Sequence, residues 1–200
     1  AGWTCQATSY TSVVNTPTHG GSRSVRNTDS STTYAAFMYQ SFTPLATATV
    51  EFWIYYTVMT QQYNILVMNN AETNVVTQLA WLGTNVYYFH DSTYTECGDY
   101  ASGNWQHIRL VCDSETDKLD IYIDNMVTPA VPHGNFYEAS EDIGFIWFAT
   151  TTDGTGTFYI DDVLVTGPSY SSPGYFESST TTAPGYISAV KPFWNNTTNS

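Results

Sequence analysis

The chain has 200 residues, of which 42% are apolar and 16% are aromatic. This length supplies one complete β-sandwich and is too short for two ordinary domains and a linker. Eighteen acidic residues against five basic ones give a net charge of −13. Because nucleic acids and anionic membranes bind through cationic side chains, the composition argues against both as partners and favours divalent cations such as Ca²⁺. No stretch reaches the roughly 18 apolar residues that span a bilayer, so we expect no membrane insertion.

Apolar and polar residues alternate with a period of two along most of the chain, which is typical of β-strands. In chain order, the predicted elements begin with a turn and strand at 20–29 and a strand or short helix at 34–42. Strands follow at 47–57, 62–69, 75–82 and 85–90, and then a polar loop at 91–103. The last four strands are at 104–112 and 118–124, which are joined by a turn, and at 143–149 and 156–166. Short strands separated by turn signals favour an antiparallel sandwich or barrel over βαβ units.

Three cysteines are present, and none forms a CxxC pair, which argues against a zinc or thioredoxin-type site. The chain opens without an initiator Met, as a processed secreted protein does, so we expect an extracellular or cell-surface location. In that setting we expect one disulfide and one free thiol. The pair Cys97–Cys112 would close a short loop between neighbouring strands, and Cys5–Cys112 is the alternative.

After the last predicted strand the composition changes. Residues 167–185 are rich in Ser, Thr, Pro and Gly and are typical of a linker, whereas residues 186–194 are apolar again. Asn195 and Asn196 begin two overlapping glycosylation sequons. We expect the apolar part of this tail to dock on another copy of the chain, with a free tail as the alternative. The proposed docking residues are Tyr186, Ile187, Val190, Phe193 and Trp194.

Three segments resemble concanavalin-A-like and laminin-G-like jelly rolls, including carbohydrate-binding modules. They are TVEFWIYYT at 49–57, GNWQHIRLVCDSETDKLDIYIDN at 103–125 and TFYIDDVLV at 157–165. In the middle segment the family pattern is matched by Trp105, His107, Asp113, Tyr122 and Asp124, whereas Asn125 stands where Gly is usual. The resemblance implies an all-β, antiparallel jelly-roll β-sandwich, and it is more specific for fold than for function.

One face of the predicted strand 104–112 carries polar and aromatic residues. If the alternating apolar residues point inward, Trp105, His107 and Arg109 share the other face, and the adjoining strand adds Asp120 and Tyr122. An aromatic platform beside hydrogen-bonding side chains suits a sugar ring, so these five residues are candidate carbohydrate ligands. The alternative is that the rings pack beneath a loop and that Arg109 pairs with a neighbouring carboxylate.

Asp161 and Asp162 are adjacent in a predicted strand, so their side chains point to opposite faces. A carboxylate that faces the interior needs a cation or hydrogen bonds. The resemblance to carbohydrate-binding modules implies a structural Ca²⁺ at one of these residues. The alternative is a carboxylate held by backbone N–H groups, or paired with Arg23 or Arg26.

Two catalytic patterns that this fold can carry are missing from the predicted strands. Glu51 has no second strand-borne acid beside it, and the adjacent Gln106 and His107 point to opposite faces. We therefore expect no enzymatic activity and no catalytic residue.

Two functions remain for a jelly roll at 1–166 followed by a tail at 167–200. The first is a non-enzymatic extracellular structural or adhesive subunit that assembles with copies of itself through the tail, as a filament. The alternative is a lectin-like carbohydrate-binding module that uses the Trp105 face.

Overall fold

A computed structural model describes residues 3–5, 10–57, 62–151 and 155–167. This part of the chain forms fourteen β-strands. They are β1 (Thr4–Cys5), β2 (Thr11–Val14), β3 (Ser24–Asp29), β4 (Phe37–Leu45), β5 (Thr47–Tyr56), β6 (Tyr63–Met68), β7 (Val75–Leu82), β8 (Asn85–His90), β9 (Thr93–Asp99), β10 (Trp105–Asp113), β11 (Lys118–Ile123), β12 (Val131–Asn135), β13 (Ile143–Thr150) and β14 (Gly156–Thr166). No helix of the length and apolar character that a membrane crossing requires is found in the described part of the chain.

The strands make two antiparallel seven-stranded sheets. Sheet A has the order β1-β4-β13-β6-β7-β8-β9, and sheet B has the order β12-β11-β10-β5-β14-β3-β2. Several consecutive strands, such as β4 and β5 or β9 and β10, lie in different sheets, so the chain crosses between the layers repeatedly. The antiparallel sandwich expected from the sequence is confirmed.

Strand β5 shows most clearly why this sequence folds as a sandwich. Buried and half-buried residues alternate along all ten of its positions, because successive side chains of a strand point to opposite faces. Val50, Phe52 and Ile54 enter the core and are almost completely buried. The intervening residues, which include Glu51 and Trp53, lie on the outer face of sheet B.

The core between the sheets is rich in aromatic rings. Phe52 from sheet B meets Phe148 from sheet A edge to face, with ring centroids 5.2 Å apart. Tyr56 contacts Trp81 across the same layer, at 5.5 Å between centroids. These contacts join the central strands of the two sheets, and burial of such rings dominates the stability of a core.

Most predicted strands agree with the structure to within two residues, and the ambiguous segment 34–42 contributes a strand, β4. The polar loop expected at 91–103 is wrong in part, because Thr93–Asp99 forms β9. This edge strand is largely exposed and therefore lacks the apolar alternation that marks a half-buried strand. The short strands β1, β2 and β12 were also not predicted.

In this structure Cys5, Cys97 and Cys112 are all free thiols, and the expected disulfide stays a prediction. Cys97 belongs to β9 in sheet A, whereas Cys112 belongs to β10 in sheet B. The two strands are consecutive in the chain but are not paired within one sheet, so a bridge between these cysteines would join the two sheets. The Cys97 thiol donates instead to the Val86 carbonyl, at 3.4 Å.

Replacing Phe52 by Ala should lower the free energy of unfolding by about 3–5 kcal/mol, because a fully buried ring is lost and a cavity remains. Chemical denaturation followed by fluorescence measures this change. The control is Tyr34→Ala, since Tyr34 is 63% exposed, and its effect should stay within about 0.5 kcal/mol. Equal effects for the two variants would contradict the described core.

The free thiols should react slowly while the protein is folded. Burial raises the pKa of the Cys112 thiol to about 12, and burial followed by the charge of Glu96 raises the pKa of Cys97 to about 12. Because only the thiolate is nucleophilic, iodoacetamide at neutral pH should label both residues far faster after unfolding. Mass spectrometry counts the labels, and a disulfide-linked Cys97–Cys112 or Cys5–Cys112 peptide would contradict the assignment.

Candidate functional site

Two rows of side chains cross the outer face of sheet A, perpendicular to its strands. One residue of each row comes from each of the strands β4, β13, β6, β7, β8 and β9. We call these two rows the amide–aromatic face. The first row is Tyr39, Trp147, Leu66, Gln78, Phe89 and Tyr94, and the second is Phe37, Ala149, Asn64, Ala80, Tyr87 and Glu96.

Aromatic rings stand at both ends of this face. At one end the Trp147 ring lies 4.8 Å from Phe37 and 5.9 Å from Tyr39, between centroids. At the other end Phe89 lies 4.6 Å from Tyr94. Two strands, β6 and β7, separate the clusters, which corresponds to about 14 Å between β13 and β8 at the usual strand spacing.

Amide side chains occupy the space between the aromatic clusters. Gln78 Nε2 donates to Asn64 Oδ1 at 3.2 Å and to the Tyr94 hydroxyl at 3.1 Å, and Gln62 Nε2 donates to Asn64 Oδ1 at 2.9 Å. Next to this network, a cavity of about 220 Å³ is lined by Gln62, Leu82, Tyr94 and their neighbours. The network orients the amides, while Asn64 Nδ2 and the Oε1 atoms of both glutamines keep no partner among the described residues.

Trp147 has a further unsatisfied group. Its indole Nε1 is buried, yet no described residue accepts a hydrogen bond from it. A buried donor without an acceptor costs free energy, and a bound hydroxyl group would remove that cost. The face thus offers rings for stacking, amides that donate and accept, and an indole donor.

The five candidate residues predicted from the sequence lie on the outer face of sheet B. Arg109 is opposite Tyr122, and Val111 is opposite Asp120, so β10 and β11 present them on one side as alternation predicts. Their role in sugar binding is not tested by this placement and stays a prediction.

Much of the outer face of sheet B is occupied by contacts within the protein. The Trp53 ring lies between His19, at 3.5 Å, and His107, at 4.2 Å, with both pairs stacked. His107 Nε2 is 2.7 Å from Glu51 Oε1, and His19 Nδ1 is 2.9 Å from Asp162 Oδ2. Both faces of the Trp53 ring are therefore covered.

Arg109 and Asp120 are also held internally. The Arg109 guanidinium lies 4.1 Å from the Tyr122 ring centroid and donates through Nη2 to the Met126 carbonyl. Asp120 Oδ1 accepts from the His133 amide at 2.7 Å. The alternative pairing of Arg109 with a carboxylate is replaced by a cation–π contact and a carbonyl.

Asp161 and Asp162 lie at a β-bulge in β14, where Asp162 has a φ of 49°. Asp161 Oδ2 accepts from the amides of His19 and Gly20 at 2.8 and 3.2 Å, and its Oδ1 accepts from the Asp162 amide at 2.9 Å. Three N–H donors around one carboxylate fit a backbone-held Asp and oppose an added cation. Among the described residues no three His, Cys, Asp or Glu side chains cluster as metal ligands. Calcium at this pair stays a prediction.

The remaining predicted sites lie outside the described residues. They are the glycosylation sequons at Asn195 and Asn196 and the docking residues Tyr186, Ile187, Val190, Phe193 and Trp194.

The same arrangement of strands occurs in solved structures of very different sequence. A sialidase superposes with a TM-score of 0.67 at 14% identity, over 83% of this chain and 17% of its own. Cellulose induced protein, Cip1, gives 0.62 at 14% identity, over 84% and 88%. The catalytic domain of the glycoside hydrolase family 131 protein from Coprinopsis cinerea gives 0.58 at 11% identity, over 88% and 85%. The chain has the concanavalin-A-like jelly-roll fold.

This jelly roll spans only 17% of the length of the sialidase. No protein-family model and no curated protein matches the chain. At 14% identity or less, the superpositions show the shared jelly roll alone and assign no reaction to this chain.

The expectation that the chain is not an enzyme is contradicted by the comparisons, because the sialidase and the family 131 catalytic domain carry the same jelly roll. Only two arrangements of catalytic residues are missing from the predicted strands. A jelly roll can place reactive groups from many strands on one face, so the absence of two patterns was too narrow a basis.

The amide–aromatic face itself was not predicted. Its signal was present in the segment 143–149, where Phe145 and Trp147 alternate with core residues that are equally apolar. A sandwich strand that is apolar on both sides buries one side in the core and presents the other on the outer face of its sheet. An apolar outer face of this kind is a candidate binding surface.

Replacing Asp161 by Ala should lower the free energy of unfolding by about 1–3 kcal/mol, because the His19 and Gly20 amides lose their acceptor. Asp161→Asn keeps one acceptor oxygen and should cost less, and Glu115→Ala, in an exposed turn, is the control. Thermal unfolding with and without a chelator distinguishes an Asp161 that is held by backbone amides from one that binds calcium. A backbone-held Asp161 predicts identical curves, whereas a melting temperature that falls in chelator would restore calcium.

Proposed function

We propose that this jelly roll is an extracellular carbohydrate-binding protein that binds a neutral polysaccharide across the amide–aromatic face. The observation that carries the proposal is the pairing of open aromatic rings with unengaged amide atoms in two continuous rows. Sugar rings stack their C–H faces on aromatic rings, and their hydroxyls both donate and accept hydrogen bonds.

The charge of the face supports an uncharged ligand. Among the twelve residues of the two rows, Glu96 alone is charged, and it lies on the edge strand. The chain also carries a net charge of −13, which repels polyanions over a range of about 8–10 Å at ordinary ionic strength. A polyuronate would meet no Lys or Arg in these rows.

The direction of the rows supports an extended ligand. The rows cross six strands from β4 to β9, a width of about 24 Å at the usual strand spacing. Along this width, aromatic rings that can stack on sugars lie at each end, and amides that can form hydrogen bonds lie between them. A glycan chain that lies across the strands would use all of them.

The names of the structural neighbours agree with this class of ligand, since a sialidase and a glycoside hydrolase domain share the jelly roll. The expected extracellular location belongs to the same proposal, because a polysaccharide of this kind is met outside the cell. Self-assembly through the tail has no support from the described residues, which end at residue 167, and it stays a prediction.

Replacing Trp147 by Ala should weaken binding to a neutral polysaccharide by about 1–3 kcal/mol, or roughly 5- to 150-fold, since a stacking ring and an indole donor are lost. Affinity electrophoresis against mixed-linkage glucan, xylan and glucomannan measures binding, and alginate is the charged counterpart. Tyr122→Ala, an aromatic truncation on the opposite sheet, is the matched control and should bind like the wild type.

The same experiment separates the alternatives. Loss of binding in Tyr122→Ala with normal binding in Trp147→Ala would move the site to sheet B and contradict the proposal. If the protein binds none of the neutral polysaccharides, the proposed function is contradicted. The soluble fraction of each mixture is also analysed for released oligosaccharides, because cleavage would identify the face as an active site as well.

A further inference from the structure

The cavity of about 220 Å³ on the outer face of sheet A has a floor that follows from strand alternation. Ala80 takes an outward position of β7, between Asn64 of β6 and Tyr87 of β8. It is nevertheless only 2% exposed, because longer side chains surround it. Since its own side chain is a single methyl group, space remains above it.

The walls of this cavity are mostly apolar. They are formed by Leu82, Tyr87 and Tyr94, and Gln62 is the one amide in the lining. Leu82 is 51% exposed and Tyr94 is 46% exposed, which is unusual for large apolar side chains. Exposed apolar side chains around a concave site are candidate contacts for a ligand. An apolar cavity of about 150 Å³ can hold a benzene-sized group, so this one has room for a small apolar substituent.

Two hydrogen-bond donors next to the cavity have no acceptor among the described residues. The first is Asn64 Nδ2, on the residue directly opposite the floor residue Ala80. Asn64 Oδ1 accepts from Gln62 and Gln78, whereas both N–H groups of Nδ2 are unused within the described part of the chain. The second is the Tyr94 hydroxyl, which accepts from Gln78 Nε2 at 3.1 Å and keeps its own hydrogen to donate. An apolar space and unused donors therefore lie side by side.

This combination selects the chemistry of the group that binds. A free sugar hydroxyl would lose its hydrogen bonds to water between apolar walls, which costs free energy, and a carboxylate would cost more. An O-acetyl ester has a methyl group for the walls and a carbonyl oxygen that only accepts hydrogen bonds, as the Asn64 and Tyr94 donors require. A hydroxyl of the same sugar ring can donate to Gln62 Oε1, to which no described residue donates.

We infer that this cavity binds an O-acetyl group of the polysaccharide, so that the ligand is an acetylated neutral glycan. The methyl group of the ester enters above Ala80, between Leu82 and Tyr94, and the carbonyl oxygen accepts from Asn64 Nδ2. The inference rests on the proposed function, because the sugar that carries the acetyl group lies on the amide–aromatic face. An acetylated polymer stays uncharged, in agreement with the composition of the two rows.

The test compares O-acetylated glucomannan and xylan oligosaccharides with the same oligosaccharides after mild alkaline removal of the acetyl groups. Calorimetric titration of the full chain measures each affinity. At least one acetylated form should bind about 10-fold more tightly than its deacetylated form, since a methyl group is buried and a hydrogen bond is gained. In NMR spectra, that acetylated form should shift the Asn64 side-chain amide and Leu82 methyl signals more than its deacetylated form does.

Two variants of the cavity should remove this preference. Leu82→Ala deletes an apolar wall, and Ala80→Val fills part of the space above the floor. In each variant the ratio of the two affinities should fall from about 10 to about 1, because the acetyl methyl group loses its contacts or its space. Val13→Ala truncates a side chain that is 62% exposed on the edge strand β2 of sheet B, and this control should keep the ratio. Because Leu82 is half exposed, Leu82→Ala tests the inference even if Ala80→Val does not fold.

The outcomes for the inference and for the proposed function are distinguishable. Equal binding of acetylated and deacetylated forms by the wild type would overturn the inference and leave the proposed function standing, as would a preference that Leu82→Ala retains. A preference that Leu82→Ala abolishes, together with wild-type affinity in Trp147→Ala, would support the inference and contradict the proposed binding across the amide–aromatic face. If the protein binds neither form of either oligosaccharide, the inference is overturned as well.

Discussion

The packed layer between the two sheets takes every second side chain from the central strands and so decides which residues face outward. Strand β5 shows the consequence, because burial of Val50, Phe52 and Ile54 forces Glu51 and Trp53 to the outer face of sheet B. Strand pairing then sets which of these outward residues become neighbours. Aromatic rings also lie on both outer faces, and the partners of those rings distinguish the two faces.

On sheet B most outward rings and charges contact one another, although the buried Arg109 Nε has no acceptor among the described residues. Trp53 is stacked between His19 and His107, and Arg109 covers Tyr122. On sheet A the rings cluster at the ends of the rows and leave amide atoms and the Trp147 indole unpaired among the described residues. Satisfied polar groups gain little from a ligand, whereas unsatisfied ones gain a hydrogen bond. This difference, and not the number of aromatic residues, is why we place the polysaccharide on sheet A.

The sequence predicted the strands well where one face is buried, and the segments 75–82, 85–90 and 156–166 agree with the structure at both ends. It missed Thr93–Asp99, because an exposed edge strand has no apolar alternation to detect. The alternation within 104–112 correctly put Trp105, His107 and Arg109 on one face. Alternation contains no information about which strands pair, so neither the rows on sheet A nor the placement of Cys97 and Cys112 in different sheets could be predicted from it.

Whether the polysaccharide binds on sheet A can be measured from the indole N–H signals of the six tryptophans during titration with a neutral oligosaccharide such as cellohexaose, xylohexaose or mannohexaose. Trp147 Nε1 has no acceptor among the described residues, whereas Trp81 Nε1 is bonded to Gln106 in the core. The account predicts that a binding oligosaccharide shifts the Trp147 signal and leaves the Trp81 signal in place. A bound oligosaccharide that moves other indole signals while the Trp147 signal stays unchanged would contradict it.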